Sequence, residues 1–411
     1  MASKERRYDI DWLRVIAMLA VFIYHCSRFF GTEGWHLKNA EQSMIVFVLT
    51  RGLIWPWVME LFFVLSGVGA WYALKSRTGG QFVWDRVKRL LIPLYTVGLF
   101  ILIPPQVYID AVTNAGYTGT FWEMLLQYYS RLPAALADIF PYVLNDPSRL
   151  VPYSFAGHLW FLQYLFLISL VTLPLLLYLK SEGGQKWIER LAGLSERRGG
   201  IFLFVIPLGL ILIFTRSFFS GGRTWTDFFW YAIFFIFGYV MVADKRFSES
   251  IKRHGWICLA LWLIGFFGVL SIIVLVLGYD PMPGNEHFSI VFVFYQVVYS
   301  IASWSAVVFM LSLGAKYLNF NNKMLAYANE AVLPFYLLHQ TVILCVGWFI
   351  IPLNIGILPK FLIIALVSFA LIMAIYDLLI RRFNIVRFFF DMRPKKKSPE
   401  EPALQSGVQA D

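Results

Sequence analysis

Charge is scarce in this chain. Asp, Glu, Lys and Arg make up 15% of its 411 residues, while 59% of residues are hydrophobic and 18% are aromatic. A soluble domain carries roughly 25% charged residues, so composition excludes a soluble globular protein. The wealth of aromatics equally excludes a disordered chain. Cysteine is rarer still. Cys26, Cys258 and Cys345 all lie in apolar stretches, so there is no disulfide framework and no C-x-x-C pair. Also missing are a metal-binding His pair at i, i+4 and a nucleotide-binding glycine loop. No internal repeat is visible, nor the paired broken helices expected of an inverted-repeat transporter.

What remains is apolar sequence in long runs. The mean hydropathy is +0.65. Runs of about 18–25 residues are long enough, as helices, to cross a ~30 Å hydrocarbon core. The pattern predicts an all-α polytopic membrane protein built from about ten transmembrane helices. The spans fall near 10–30, 52–74, 88–109, 158–179, 200–217, 226–243, 256–278, 289–314, 326–350 and 359–380. The first is an uncleaved helix rather than a signal peptide, because it lacks a small-residue cleavage site and carries Arg14 and His25 within it.

An even number of spans puts both termini on one side. With the termini cytoplasmic, the inner segments hold 26 Lys and Arg residues and the outer segments 8. The positive-inside rule therefore predicts cytoplasmic termini. The net charge of +10 is mostly a topology signal, which argues against a nucleic-acid partner. Residues 110–157 form the longest outer loop, with a short amphipathic piece at Phe121–Leu132 suited to the membrane surface. Residues 1–390 read as one transmembrane domain, and 391–411 as a disordered cytoplasmic tail.

Ionisable residues inside a bilayer usually face a cavity or a partner. Arg14 and His25 are eleven residues apart in the first span. Eleven steps of 100° leave them on one helix face, about 16 Å apart along the axis. His158 opens the fourth span from the outside, and His339 lies past the middle of the ninth. Three histidines therefore fall in the outer half of the membrane. His36, His254 and His287 read as solvated loop or interface residues. Glu60 in the second span and Asp227 at the start of the sixth are the nearby carboxylates, and Glu330 sits nearer the inner end with arginines in reach. On the inner side, Arg86 and Arg89 share a face suited to clamping a phosphate, with Lys88 off it. Ser66-Gly67 in the second span reads as a small-residue packing site.

An arginine-rich inner end suits phosphates. A histidine-rich outer end suits proton abstraction from a hydroxyl. The pattern fits group transfer from a cytosolic phosphate-bearing donor to an external acceptor. It also fits a transporter or flippase of an anionic metabolite.

At these residues the chain resembles the membrane-bound acyltransferase family 3. Arg14 and His25 match the family's Arg, ten residues, His pattern. Phe62, Phe63, Ser66 and Gly67 match Phe-Phe-x-x-Ser-Gly. Arg86 and Arg89 match its Arg-x-x-Arg, and Tyr336, Leu337 and His339 match a late aromatic-Leu-x-His. Together these span residues 9 to about 345. The stretch His158-Leu-Trp160-Phe161-Leu162 resembles the branch that succinylates periplasmic glucans. Branches that acetylate lipopolysaccharide or peptidoglycan usually carry a Glu-containing sequence there.

The resemblance implies an O-acyltransferase of the inner membrane. It implies acyl-CoA (acetyl-CoA or succinyl-CoA) as donor substrate, with no permanently bound cofactor and no metal, and an extracytoplasmic carbohydrate as acceptor. It places the donor phosphates on Arg14, Arg86 and Arg89, with Ser66 nearby. His25 becomes general base or transient acyl carrier, the carboxylate that supports a histidine is left between Glu60 and Asp227, and the oxyanion donor is left among His158, His339 and Tyr336. Membrane lipid surrounds it, and homo-oligomer or glycan-assembly partners fit the same reading.

Overall fold

The computed structural model describes residues 7–137, 157–219, 224–272, 278 and 288–394. Lys4, Arg6, the second half of the long outer loop, His287 and Lys395 to Lys397 lie outside the described residues. Among the described residues there is helix and no strand.

The helices are α1 (Tyr8–Ser27), α2 (Met44–Leu53), α3 (Trp55–Ser76), α4 (Gly79–Asn114), α5 (Phe121–Ala137), α6 (Gly157–Lys180) and α7 (Glu182–Glu196). They continue as α8 (Gly200–Arg216), α9 (Trp225–Met241), α10 (Lys245–Leu270), α11 (Ile290–Tyr317), α12 (Lys323–Ile350), α13 (Ile357–Ile380) and α14 (Asn384–Phe389). Among the described residues there are eight membrane-length apolar segments, α2 and α3 together forming one of them. The others are α1, α4, α6, α10, α11, α12 and α13. Two further apolar helices, α8 and α9, are shorter and coincide with the fifth and sixth sequence-predicted spans.

Local chemistry sets many of the ends. Thr78 and Gln81 form a reciprocal capping box at the start of α4, with Thr78 N donating to Gln81 Oε1 at 3.0 Å. Asn322 caps α12 through Leu325 N at 2.7 Å, and Asp244 caps α10 through Arg246 N at 2.9 Å. Within α4, Pro93 has no N–H to give the preceding turn, and its ring crowds that turn's carbonyl. The helix widens into π-helical turns on both sides, at Val87–Leu91 and Leu94–Leu102.

Two elements differ from the sequence expectation. The loop after the fourth span contains α7, which buries Ile188 and Ala192 but exposes Trp187, Leu191 and Leu194. Its apolar and charged residues follow a helical period, so this segment suits the membrane interface. In addition, α10 starts at Lys245 rather than near 256, because its first half is amphipathic rather than uniformly apolar.

Packing places α1 at the centre, against α3, α11, α12 and α13. The backbones of α3 and α9 approach closely. A Cβ on Gly67 would lie 1.9 Å from Phe235 O, and one on Gly238 would lie 1.9 Å from Val64 O. Only glycine fits at either position, which is the small-residue mode of helix contact in membranes. Gly67 therefore packs, as the sequence predicts. Its neighbour Ser66 instead lines a cavity.

Candidate active site

A cavity of about 540 Å³ opens in the bundle between α1, α3, α4, α6 and α12. That volume lies within the range of small-molecule sites. Five arginines line it, Arg14, Arg77, Arg86, Arg89 and Arg393, against three carboxylates, Asp85, Glu330 and Asp391. Arg14 donates to Asp11 Oδ1 at 3.1 Å and to Asn329 Oδ1 at 3.0 Å, which holds its head at the wall. Arg86 lies over the Phe82 ring, 4.7 Å from the centroid. Arg89 faces Asp391 Oδ2 at 3.5 Å. Lys88 pairs with Asp85 at 3.2 Å and does not line the cavity. The structure thus brings Arg14, Arg86, Arg89 and Ser66 to one cavity.

The floor of this cavity comes from beyond the last long helix. Phe390, Asp391, Met392 and Arg393 all line it, so residues just past 390 contribute to the cavity wall. Arg387, 5% exposed, anchors this turn by donating to Glu330 Oε1 at 2.9 Å and to Arg393 O at 2.6 Å. Asp391 sits in the left-handed region at φ 51°, which Asp tolerates better than most residues. Burial raises its carboxyl above the ordinary value, while Arg89 pulls in the opposite direction.

Besides the arginines and carboxylates, the cavity is lined by apolar side chains, including Met18, Val21, Met59, Phe62 and Phe161, and by Tyr336. Two of these residues position imidazoles beyond them. Val21 O receives His25 Nδ1 at 2.8 Å, and Tyr336 O receives His339 Nδ1 at 2.6 Å. A carbonyl can only accept, so in each neutral ring Nδ1 bears the proton and Nε2 keeps its lone pair. His339 is fully buried, and its Nε2 has no hydrogen-bond partner. The His25 and His339 centroids are 4.9 Å apart, and those of His158 and His339 are 5.0 Å apart. Three histidines from α1, α6 and α12 therefore form one cluster.

His158 is held differently. Its Nε2 donates to Leu337 O at 3.0 Å and its Nδ1 accepts from Gln106 Nε2 at 3.2 Å. Both nitrogens are thus occupied. The Tyr336 hydroxyl donates to His158 O at 2.7 Å. The three residues considered as oxyanion donors therefore have their neutral-state N–H or O–H directed to backbone carbonyls. Their chemistry as found is that of bases or positioning groups.

Other residues lie elsewhere. Glu60, 2% exposed, accepts from Trp230 Nε1 at 3.0 Å rather than from a histidine. Asp227 pairs with Arg216 at 3.1 Å. Two histidines expected to be solvated are not. His254 is buried, accepting Gly199 N at 3.1 Å and donating to Ser250 O at 2.8 Å, so it braces the left-handed turn before α8. His36 is half-buried and pairs with Asp110 at 3.2 Å. Sequence reasoning missed Asn329, Gln106, Gln340 and the Asp391 turn. A polar amide within an apolar helix, as at Gln106 and Gln340, was the available signal.

A helical membrane protein with an arginine-lined cavity leading towards a histidine cluster has the elements of a group-transfer enzyme. Residues 7–377 match the family model described as an acyltransferase domain, and the chain belongs to this acyltransferase family 3 and is an acyltransferase. Curated relatives include the glucans biosynthesis protein C of Salmonella paratyphi A and of Salmonella agona. Each is 23% identical over 410 residues, covering 97% of this chain and 98% of the relative. The protein of that name from Salmonella schwarzengrund is 22% identical over the same shares. No solved structure matches the chain.

Proposed function

We propose that this protein moves an acetyl or succinyl group from cytosolic acyl-CoA to a hydroxyl of an extracytoplasmic glycan. In this reading the chain crosses the inner membrane ten times, α8 and α9 completing the count, with both termini cytoplasmic. The relatives named for glucan biosynthesis favour a glucan as acceptor. The observation that carries the reading is that the arginine-lined cavity and the histidine cluster are adjacent. The arginine-lined cavity extends to Val21 and Tyr336, and those two backbone carbonyls hold His25 and His339 just beyond it. Membership of an acyltransferase family favours covalent transfer over transport alone.

The donor phosphates bind Arg14, Arg86 and Arg89, displacing Asp391 from Arg89. The pantetheine arm follows the apolar wall past Ser66, Phe62 and Phe161. The acceptor hydroxyl gives its proton to His25 Nε2, and its oxygen attacks the thioester carbonyl. The C–S bond then breaks, and the thiolate leaves with the proton from the imidazolium. His339 Nε2, a second lone pair beside His25, shares that proton and stabilises the charged intermediate.

Mass spectrometry of envelope glycans from cells with and without the protein tests this directly. An acyl group present only with the protein, and lost in the His25→Ala variant, is the expected result. An unchanged glycan profile contradicts it.

A further inference from the structure

One hydrogen-bonded chain runs from the His36–Asp110 pair into the histidine cluster. His36 Nδ1 pairs with Asp110 Oδ1 at 3.2 Å. Gln340 Nε2 reaches His36 Nε2 at 3.3 Å and Gln106 Oε1 at 2.9 Å. Gln106 Nε2 in turn reaches Thr341 Oγ1 at 2.8 Å, Leu102 O at 3.0 Å and His158 Nδ1 at 3.2 Å. These groups come from the loop after α1 and from α4, α6 and α12. Gln106, His158 and Gln340 are each under 5% exposed.

The direction of each bond follows from chemistry. An amide nitrogen only donates, and a carbonyl oxygen only accepts. Leu102 O fixes which end of Gln106 is nitrogen, because a flipped amide would set two oxygens against each other. Gln340 Nε2 against Gln106 Oε1 requires the same orientation. His158 Nδ1 must therefore be the acceptor, and its single proton lies on Nε2, where Leu337 O takes it.

That proton grips α12 at a weak place. Pro334 interrupts the main-chain bonding of this helix. One turn on, His158 Nε2 holds Leu337 O, and the Tyr336 hydroxyl holds His158 O. Tyr336 O then receives His339 Nδ1. The tautomer of His158 is thereby linked to the placement of the His339 ring.

We propose that Gln106, oriented by Gln340, is a positioning residue for acyl transfer. It fixes His158 as the Nε2–H tautomer and, through Leu337 and Tyr336, holds His339 against His25. This rests on the reading of His25 and His339 as the reacting imidazoles.

The test is ¹⁵N NMR of histidine-labelled protein, with His158 assigned by difference from a His158→Gln sample. Wild type shows a neutral Nε2–H tautomer at His158 and Nδ1–H tautomers at His25 and His339. In Gln106→Glu the carboxylate only accepts, so the His158 proton moves to Nδ1 and the Leu337 contact is lost. Gln106→Met removes the donor without adding charge. For both variants kcat falls on the order of 10- to 100-fold, as loss of positioning does. The KM for acyl-CoA stays within about two-fold, because Gln106 does not line the donor cavity. An Nδ1–H tautomer or imidazolium at His158 in wild type overturns the proposal, whether or not the variants fold. So does wild-type kcat in both variants. Full activity in His25→Ala, with the His158 tautomer as expected, instead removes the underlying catalytic reading.

Discussion

His25 and His339 meet at nearly a right angle, their ring centroids 4.9 Å apart and their planes at 70°. Each ring directs Nδ1 to a carbonyl of its own helix, three or four residues back. This is a local device available to any helical histidine. It leaves an Nε2 lone pair on each of two neighbouring imidazoles, next to Val21 and Tyr336, which line the arginine-rich cavity.

His25→Ala should reduce acyl transfer about 10²–10⁴-fold, the usual contribution of a general acid–base group. CoA binding should persist, because His25 does not line the arginine-rich cavity. Turnover in detergent beside a CoA-binding titration separates the two effects.

Arg89→Ala and Arg14→Ala should weaken CoA binding, with kcat at saturation less affected. Raised salt should mimic part of the loss at exposed Arg89. Lys88→Ala should change little, because Lys88 pairs with Asp85 and does not itself line the cavity. Asp391→Asn should tighten CoA binding a few-fold by removing the carboxylate that faces Arg89. Calorimetric titration of the four variants decides.

The intramembrane histidines were legible because each stands in an apolar run, and Arg14, Arg86 and Arg89 because each stands where such a run begins. Arg14, His25, His158, His339 and the Arg86/Arg89 pair could be placed by helical arithmetic, and all six reach the cavity or the histidine cluster. What could not be read was partnership across helices. Glu60 meets Trp230, 170 residues away, and Arg14 meets Asn329, 315 residues away. Neither spacing leaves a local trace. The π-helical turns of α4 were hidden for another reason. Pro93 announces a disturbed helix but not whether it will kink, break or widen. His254 reads from the sequence as a solvated loop or interface residue, yet its own face of α10 turns inward against α8's leading turn.

Gly67→Ala should lower the apparent Tm in detergent and reduce folded yield. Its Cβ would press into the Phe235 carbonyl, and overpacking costs about 1–3 kcal/mol when the neighbour cannot move. Gly69→Ala on the same helix is the control, since nothing lies within 4 Å of its Cβ. Thermal unfolding of the pair gives the comparison.

Single cysteines at Thr118 and Gly80, both exposed, test sidedness after replacement of Cys26, Cys258 and Cys345. Thr118→Cys should react with an impermeant thiol reagent in intact cells. Gly80→Cys should react only after permeabilisation. Labelling of both from one side would contradict the proposed path across the bilayer.

The central claim is transfer between faces, and sided vesicles test it most directly. Inside-out membrane vesicles loaded with glucan acceptor receive radiolabelled acetyl-CoA or succinyl-CoA from the medium, on the cytosolic face. The account predicts label on the enclosed glucan, absent in His25→Ala and reduced in Arg89→Ala. It predicts none when right-side-out vesicles receive donor from the medium. Label acquired from an externally applied donor in right-side-out vesicles, or undiminished in His25→Ala, would contradict it.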